Sequence, residues 1–236
     1  MLVNSFYDLE STVMDALRAQ QVRIDPIGPL LPSIVGREPA KLSSPTSLLV
    51  EDRTCLDWLD AQEDCSVLYV SFGSLHAVEK EVIQELAHGL EASQERFLWV
   101  IRPDTAQGKV ADLLPEGFQS RVEGRSFIIS WAPQLDVLAH PAVGAFLTLC
   151  GWNSVVESLY MGVPMIGFPR GAEQNTNLNC MIEWKVGMAL EEQSQEGNKC
   201  SRKAVEGAVR LMMRGEEDKS KRTQRGCQEG HCRRKF

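Results

Sequence analysis

Residues 131–174 read WAPQLDVLAHPAVGAFLTLCGWNSVVESLYMGVPMIGFPRGAEQ, and this stretch decides the fold. Two short apolar runs, 143–148 and 165–168, have the length and composition of strands. Between them, 153–161 has the length of a helix. Strands alternating with helices imply a parallel sheet covered on both faces. Polar turns separate these segments: Trp131-Ala132-Pro133-Gln134, the run Leu149 to Ser154, and Gly171-Ala172-Glu173-Gln174. Leu149 is out of character, being apolar where such a turn would be expected to carry a hydrogen-bond donor.

The alternation continues outward. Residues 67–72 are almost continuously apolar, as in a strand buried on both faces. Val82, Ile83, Leu86, Ala87 and Leu90 recur at helical spacing. Strands are expected at 97–101 and 127–129, a short helix at 135–138, a helix over 175–184 and a last helix over 204–212. The fold class is α/β, a Rossmann-like parallel sheet with helices on both faces. Towards the amino end, 2–6 reads as a strand and 9–19 as a helix. Residues 25–47 are rich in Pro, Ser and Gly, the composition of a linker, and a short helix is expected at 56–59.

Composition narrows the function. Of the 236 residues 43% are hydrophobic, and the net charge of −7 argues against a general nucleic-acid binder. No apolar run is long enough for stable membrane insertion, and no signal peptide is visible. Seven cysteines without framework spacing read as reduced thiols of a cytoplasmic protein. The segment 219–236 has seven basic residues and one acid, leaving −13 on the remainder; it has no apolar period and reads as disordered. Cys227, His231 and Cys232 lack a fourth ligand and zinc-site spacing, so no metal site is expected.

In open α/β sheets ligands bind beyond the carboxyl ends of the strands. The polar turns, with Ser71-Phe72-Gly73-Ser74, should therefore face one crevice. No G-x-G-x-x-G or P-loop pattern is present, so neither a dinucleotide nor ATP is indicated. Around Cys150 to Glu157 a strand ends, Gly151 allows a tight turn and a helix begins, making an anion site able to hold a diphosphate without a metal. Ser154-Val155-Val156-Glu157 is equally a capping box. Trp131 could stack on a base or simply pack. Glu173 and Gln174 could serve sugar hydroxyls or form a solvated loop. His140, between Ala139 and Pro141, reads as a turn residue rather than a base.

Taken together, these residues resemble the sugar-donor box of the plant secondary-product UDP-glycosyltransferases, family 1 enzymes of the GT-B fold. The 44 residues of 131–174 match that box in length, with Trp131, Pro133, Gln134, His140, Gly144, Cys150 to Ser154, Glu157, Gly162-Val163-Pro164, Pro169 and Gln174 in place. LVNSFYDLE, PIGPL, VLYVSFGS and WKVGMAL extend the likeness over about 2–218. It implies a remnant of an acceptor domain at 1–24, an interdomain linker at 25–64, a UDP-sugar-binding domain at 65–218 and a basic tail at 219–236.

By the same resemblance Trp131 would stack on uracil and Ala132 would read its edge. Gln134 and Glu157 would take the ribose hydroxyls. Asn153, Ser154 and Ser74 would contact the diphosphate, and Trp152, Glu173 and Gln174 the sugar. Gln174 leans toward UDP-glucose as donor substrate, with no cofactor. The implied partners are this donor and a small acceptor such as a flavonoid, glucosylated with inversion and without metal; no obligate protein partner is indicated.

The sequence departs from the family pattern in three places. Leu149 stands where the family has a His donating to the diphosphate, a bond worth about 1.5–3 kcal/mol. The family's catalytic base, a His of the amino-terminal domain, has no counterpart among His76, His88, His140 and His231, so no catalytic residue is carried over. The pattern also breaks near Lys219. A truncated or frame-shifted product is one expectation from this, and a non-catalytic UDP-sugar-binding fragment is the alternative function.

Overall fold

The structure is a computed structural model that describes residues 1–28, 30, 51–73, 78–102, 110–190 and 200–215. The chain divides into two compact units, Met1–Leu42 and Ser43–Phe236.

In the first unit, β1 (Leu2–Val3) is followed by α1 (Tyr7–Ala19) and β2 (Asp25–Pro26). The two strands pair in parallel, Leu2 with Asp25 and Val3 with Pro26. Met14 is the buried residue of α1, while Val13 is exposed. Gly28 is required by its close approach to the chain: a Cβ there would lie 2.6 Å from the Ser5 nitrogen.

The second unit contains α2 (Thr54–Asp60), β3 (Val67–Ser71), α3 (Lys80–Ser93), β4 (Arg96–Val100), α4 (Phe118–Arg121), β5 (Ser126–Ile129), α5 (Gln134–Ala139), β6 (Val143–Thr148), α6 (Trp152–Met161), β7 (Met165–Gly167), α7 (Gln174–Glu183), β8 (Gly187–Ala189) and α8 (Arg202–Arg214). Among the described residues, six strands of this unit form one sheet in the order β5-β4-β3-β6-β7-β8, every pair parallel. Counted within the unit this is the doubly wound order 3-2-1-4-5-6, which reverses between β3 and β6.

Strand alternation divides the core into two layers. Leu68, Val70, Phe97, Trp99 and Leu147 pack with Ile83, Leu86 and Leu90 of α3 and Val205 and Val209 of α8. Val67, Tyr69, Leu98, Phe146 and Met165 pack on the other face with Leu59 of α2, Val137 of α5, Val155 of α6 and Met181 of α7. The α/β expectation of helices on both faces is met. The register between β3 and β6 shifts past Gly144, pairing Val67 with Val143 but Leu68 with Ala145. A Cβ at Gly144 would stand 2.4 Å from the Cys65 carbonyl oxygen, so this irregularity needs a glycine.

The stretch read as linker, 25–64, carries structure at both ends: β2 at one, and at the other α2, whose Cys55 and Leu59 are fully buried. The sequence reading also passed over β8 and α4, which are too short for a periodicity to register. The tail 219–236 lies outside the described residues.

Candidate functional site

The reversal of strand order places the ends of β3 and β6 side by side, and the turn after β6 is tightly specified. Cys150 is buried with φ 65°, a left-handed conformation, and Gly151 caps the helix in an extended one. The Cys150 N–H donates to Thr148 Oγ1 at 3.2 Å, and Asn177 Nδ2 donates to the Cys150 carbonyl at 2.9 Å. The first rung of α6 runs from the Val155 N–H to the Gly151 carbonyl, 3.0 Å. The N–H groups of Trp152, Asn153 and Ser154 precede that rung and point along the helix axis, the arrangement that holds phosphates.

The capping-box reading of Ser154 and Glu157 does not hold. The helix starts three residues earlier than that box requires, with Gly151 as cap and no side chain capping it. Glu157 turns instead toward Gln134, the first residue of α5. Gln134 Nε2 donates to Glu157 Oε2 at 2.6 Å and to Ser154 Oγ at 3.1 Å. On its other side Gln134 Oε1 accepts from the Tyr69 hydroxyl at 3.2 Å. Burial pushes the Glu157 carboxyl above its ordinary pKa, and the Gln134 hydrogen bond partly offsets this. Three residues paired with the nucleotide only by resemblance, Gln134, Ser154 and Glu157, thus form one hydrogen-bonded cluster.

Just before it, the Trp131 turn is braced by the chain leading into α2. The Asp52 N–H donates to the Trp131 carbonyl at 2.9 Å, and Arg53 Nη1 meets the buried carboxylate of Asp136 at 2.7 Å. Trp131 is half-buried and Ala132 buried. Beyond β7, Gln174 is buried, its Oε1 accepting from the backbone N–H groups of Arg170 at 2.8 Å and Gly171 at 3.3 Å. It therefore shapes the loop in which exposed Glu173 caps α7. Arg170 Nη2 reaches Glu79 Oε2 at the start of α3, 3.0 Å away. The Trp152 indole packs edge-on against Trp184; its backbone N–H stands at the head of α6.

Leu149 is buried in the apolar layer of α3 and α8. His140 is held at the amino-end edge of the sheet: its Nδ1 accepts from the Ala142 N–H at 3.1 Å, which puts the ring proton on Nε2, 3.1 Å from Asp60 Oδ1. That is the structural role expected of it. Ser74 lies outside the described residues. Tyr69, Asn177 and Asp136 were missed by sequence reasoning, because each sits in an otherwise ordinary strand or helix and only its distant partner gives it meaning.

A hollow of about 500 Å³ opens at the amino ends of the strands, between Asp64, Ser66, Glu95, Arg96 and Arg125. The Arg125 guanidinium there is committed to the carbonyls of Leu90, Glu91 and Glu95. Its place, opposite the carboxyl ends, separates it from the crevice above. Among the described residues, no three His, Cys, Asp or Glu side chains gather as metal ligands, and no helix is long and apolar enough to cross a membrane.

A doubly wound sheet with a helix amino terminus and a carboxylate–amide pair at its switch point is an α/β architecture whose ligands bind beyond the carboxyl ends of the strands. Over residues 17–222 the chain matches the family described as UDP-glucoronosyl and UDP-glucosyl transferase, and it belongs to that family. It is 42% identical over 228 residues to a flavonol 3-O-glucosyltransferase of Arabidopsis thaliana, covering 94% of this chain and 46% of that protein. It is 41% identical to a myricetin 3-O-rhamnosyltransferase of Crocosmia x crocosmiiflora, covering 95% of this chain and 46% of that protein. Among solved structures, Phytolacca americana UGT2 complexed with UDP-2fluoro-glucose and pterostilbene superposes with a TM-score of 0.76 at 37% identity, over 95% of this chain and 48% of that one. The chain thus spans about half the length of the relatives it matches, and its parallel sheet with helices on both sides corresponds to the carboxyl-terminal domain of the GT-B fold.

Proposed function

We propose that this chain binds UDP-glucose and that the protein it represents transfers the glucose, with inversion and without a metal, to a hydroxyl of a small acceptor such as a flavonoid. The single observation that carries this reading is the Gln134–Ser154–Glu157 cluster beside the head of α6. A diphosphate at those N–H groups would bring its ribose hydroxyls toward a carboxylate and an amide. Trp131 and Ala132, one turn before Gln134, then serve the uracil, with Asn153 and Ser154 at the diphosphate. Trp152, Glu173 and Gln174 would hold the sugar, and Ser74 would contact the diphosphate. Glucose is proposed from Gln174; the relatives include both glucosyl- and rhamnosyltransferases. A cytoplasmic setting is proposed, on cysteines whose spacing carries no disulfide framework.

A second reading, a UDP-sugar-binding module without turnover, is favoured by the position of His140, bound to Asp60 and Ala142 at the opposite edge of the sheet. Titration calorimetry with UDP and UDP-glucose, run beside a transfer assay on a panel of phenols, separates the two. Binding with product that is lost in Gln174→Ala supports the enzyme. Binding without product supports the module, and no binding of either nucleotide refutes both.

A further inference from the structure

Tyr69 is a strand residue, 1% exposed, that would touch no ligand in the crevice. Its ring is stacked on Phe146, centroids 4.8 Å apart, so its hydroxyl has little freedom. That hydroxyl is bonded by Ser71 and lies 3.2 Å from Gln134 Oε1. A primary amide has two donors on one side and an acceptor on the other, and flipping it exchanges them. When ionised, the Glu157 carboxylate can only accept, so the amide serves it correctly only with Nε2 turned toward α6. The opposite, acceptor end then needs a donor, and Tyr69 is the one placed there. Burial raises the Tyr69 hydroxyl further above its ordinary pKa, so it keeps its proton throughout the working range.

We infer that Tyr69 is a positioning residue for nucleotide recognition: by donating to Gln134 Oε1 it locks the amide in the orientation that aligns Glu157 and Ser154 for a ribose diol. The inference rests on the proposed UDP-sugar reading of this cluster. It assigns the residue a role beyond packing, because Phe at the same place would stack equally well on Phe146 and yet leave the amide oxygen without its donor.

The test compares UDP with 2′,3′-dideoxy-UDP by titration calorimetry on the full chain and on Tyr69→Phe. The unaltered chain should prefer UDP. In Tyr69→Phe the affinity for UDP should fall roughly threefold to tenfold, the range for one lost hydrogen bond, while that for the dideoxy nucleotide stays the same. In Gln134→Ala the preference should largely vanish, and adding Tyr69→Phe should cost nothing more, since the hydroxyl acts through the amide. Equal weakening of both nucleotides, an unchanged preference in Tyr69→Phe, or additive losses in the double variant would each overturn the assignment while leaving the site reading intact. An unaltered chain that does not distinguish the two nucleotides refutes the ribose reading itself, and the role of Tyr69 with it.

Discussion

Asn177 on α7 holds the turn that aims α6, by donating its side-chain Nδ2 to the carbonyl of Cys150 at 2.9 Å. Both residues are buried, and Cys150 is left-handed, a conformation that costs a non-glycine residue about 1–3 kcal/mol. Asn177→Leu leaves that carbonyl without its donor. It should lower stability by about 1–3 kcal/mol in urea unfolding and weaken UDP in calorimetry, because the head of α6 is no longer held. Undiminished UDP affinity would show that the turn is set by Thr148 alone.

Glu157 couples stability to binding in opposite senses. Its carboxyl is raised above the ordinary value by burial. The protonated form is therefore favoured by folding, and stability present at acid pH is lost as pH rises through the folded-state pKa. Glu157→Gln keeps an acceptor for Gln134 and removes the buried charge. Its melting temperature should exceed that of the unaltered protein at neutral pH, and the gain should disappear on acidification. UDP binding should weaken in the variant, since the ribose loses a charged acceptor. A melting difference that does not depend on pH would contradict this account.

Leu149 can be tested by restoring the donor that the family pattern carries there. Leu149→His should tighten UDP by about tenfold to a hundredfold, the worth of one hydrogen bond to a charged group. Leu149 is 3% exposed within the apolar layer of α3 and α8. The same substitution should therefore cost about 1–3 kcal/mol of stability. Calorimetry and thermal melts on one preparation measure both effects. Unchanged UDP affinity would mean that the imidazole stays in the core.

Gly144 offers a contrast far from the chemistry. A Cβ there meets the Cys65 carbonyl oxygen at 2.4 Å, a backbone atom that cannot swing aside. Gly144→Ala should destabilise by about 1–3 kcal/mol and, because it lies near the start of β6, leave UDP affinity of the folded fraction unchanged. Urea unfolding and calorimetry check the two halves of that expectation.

Much of this was legible in the sequence. The apolar run at 67–72 became β3 because a strand buried on both faces has no polar side to interrupt it, and the turn at Cys150-Gly151 was marked by its glycine. The capping box was misjudged because Ser-x-x-Glu is a local pattern, whereas Glu157 answers to Gln134 on another helix. β8 was passed over because three residues carry too little periodicity. Asn177 was read only as part of a helix, since nothing within its own turn reveals the carbonyl it serves.

By itself the sequence determined the layers, the longer strands and the set of polar turns, because strand and helix periods and turn residues act over a few neighbours. Only the tertiary structure decided which side chains meet. Tyr69 and Gln134 are 65 residues apart, and Gln134 and Glu157 are 23 apart. Their pairing depends on the parallel register of β3 and β6 and on the left-handed turn at Cys150, which together set where each side chain points. Hydrogen bonds act over about 3 Å, so the site exists only once the sheet has brought the ends of β3 and β6 together.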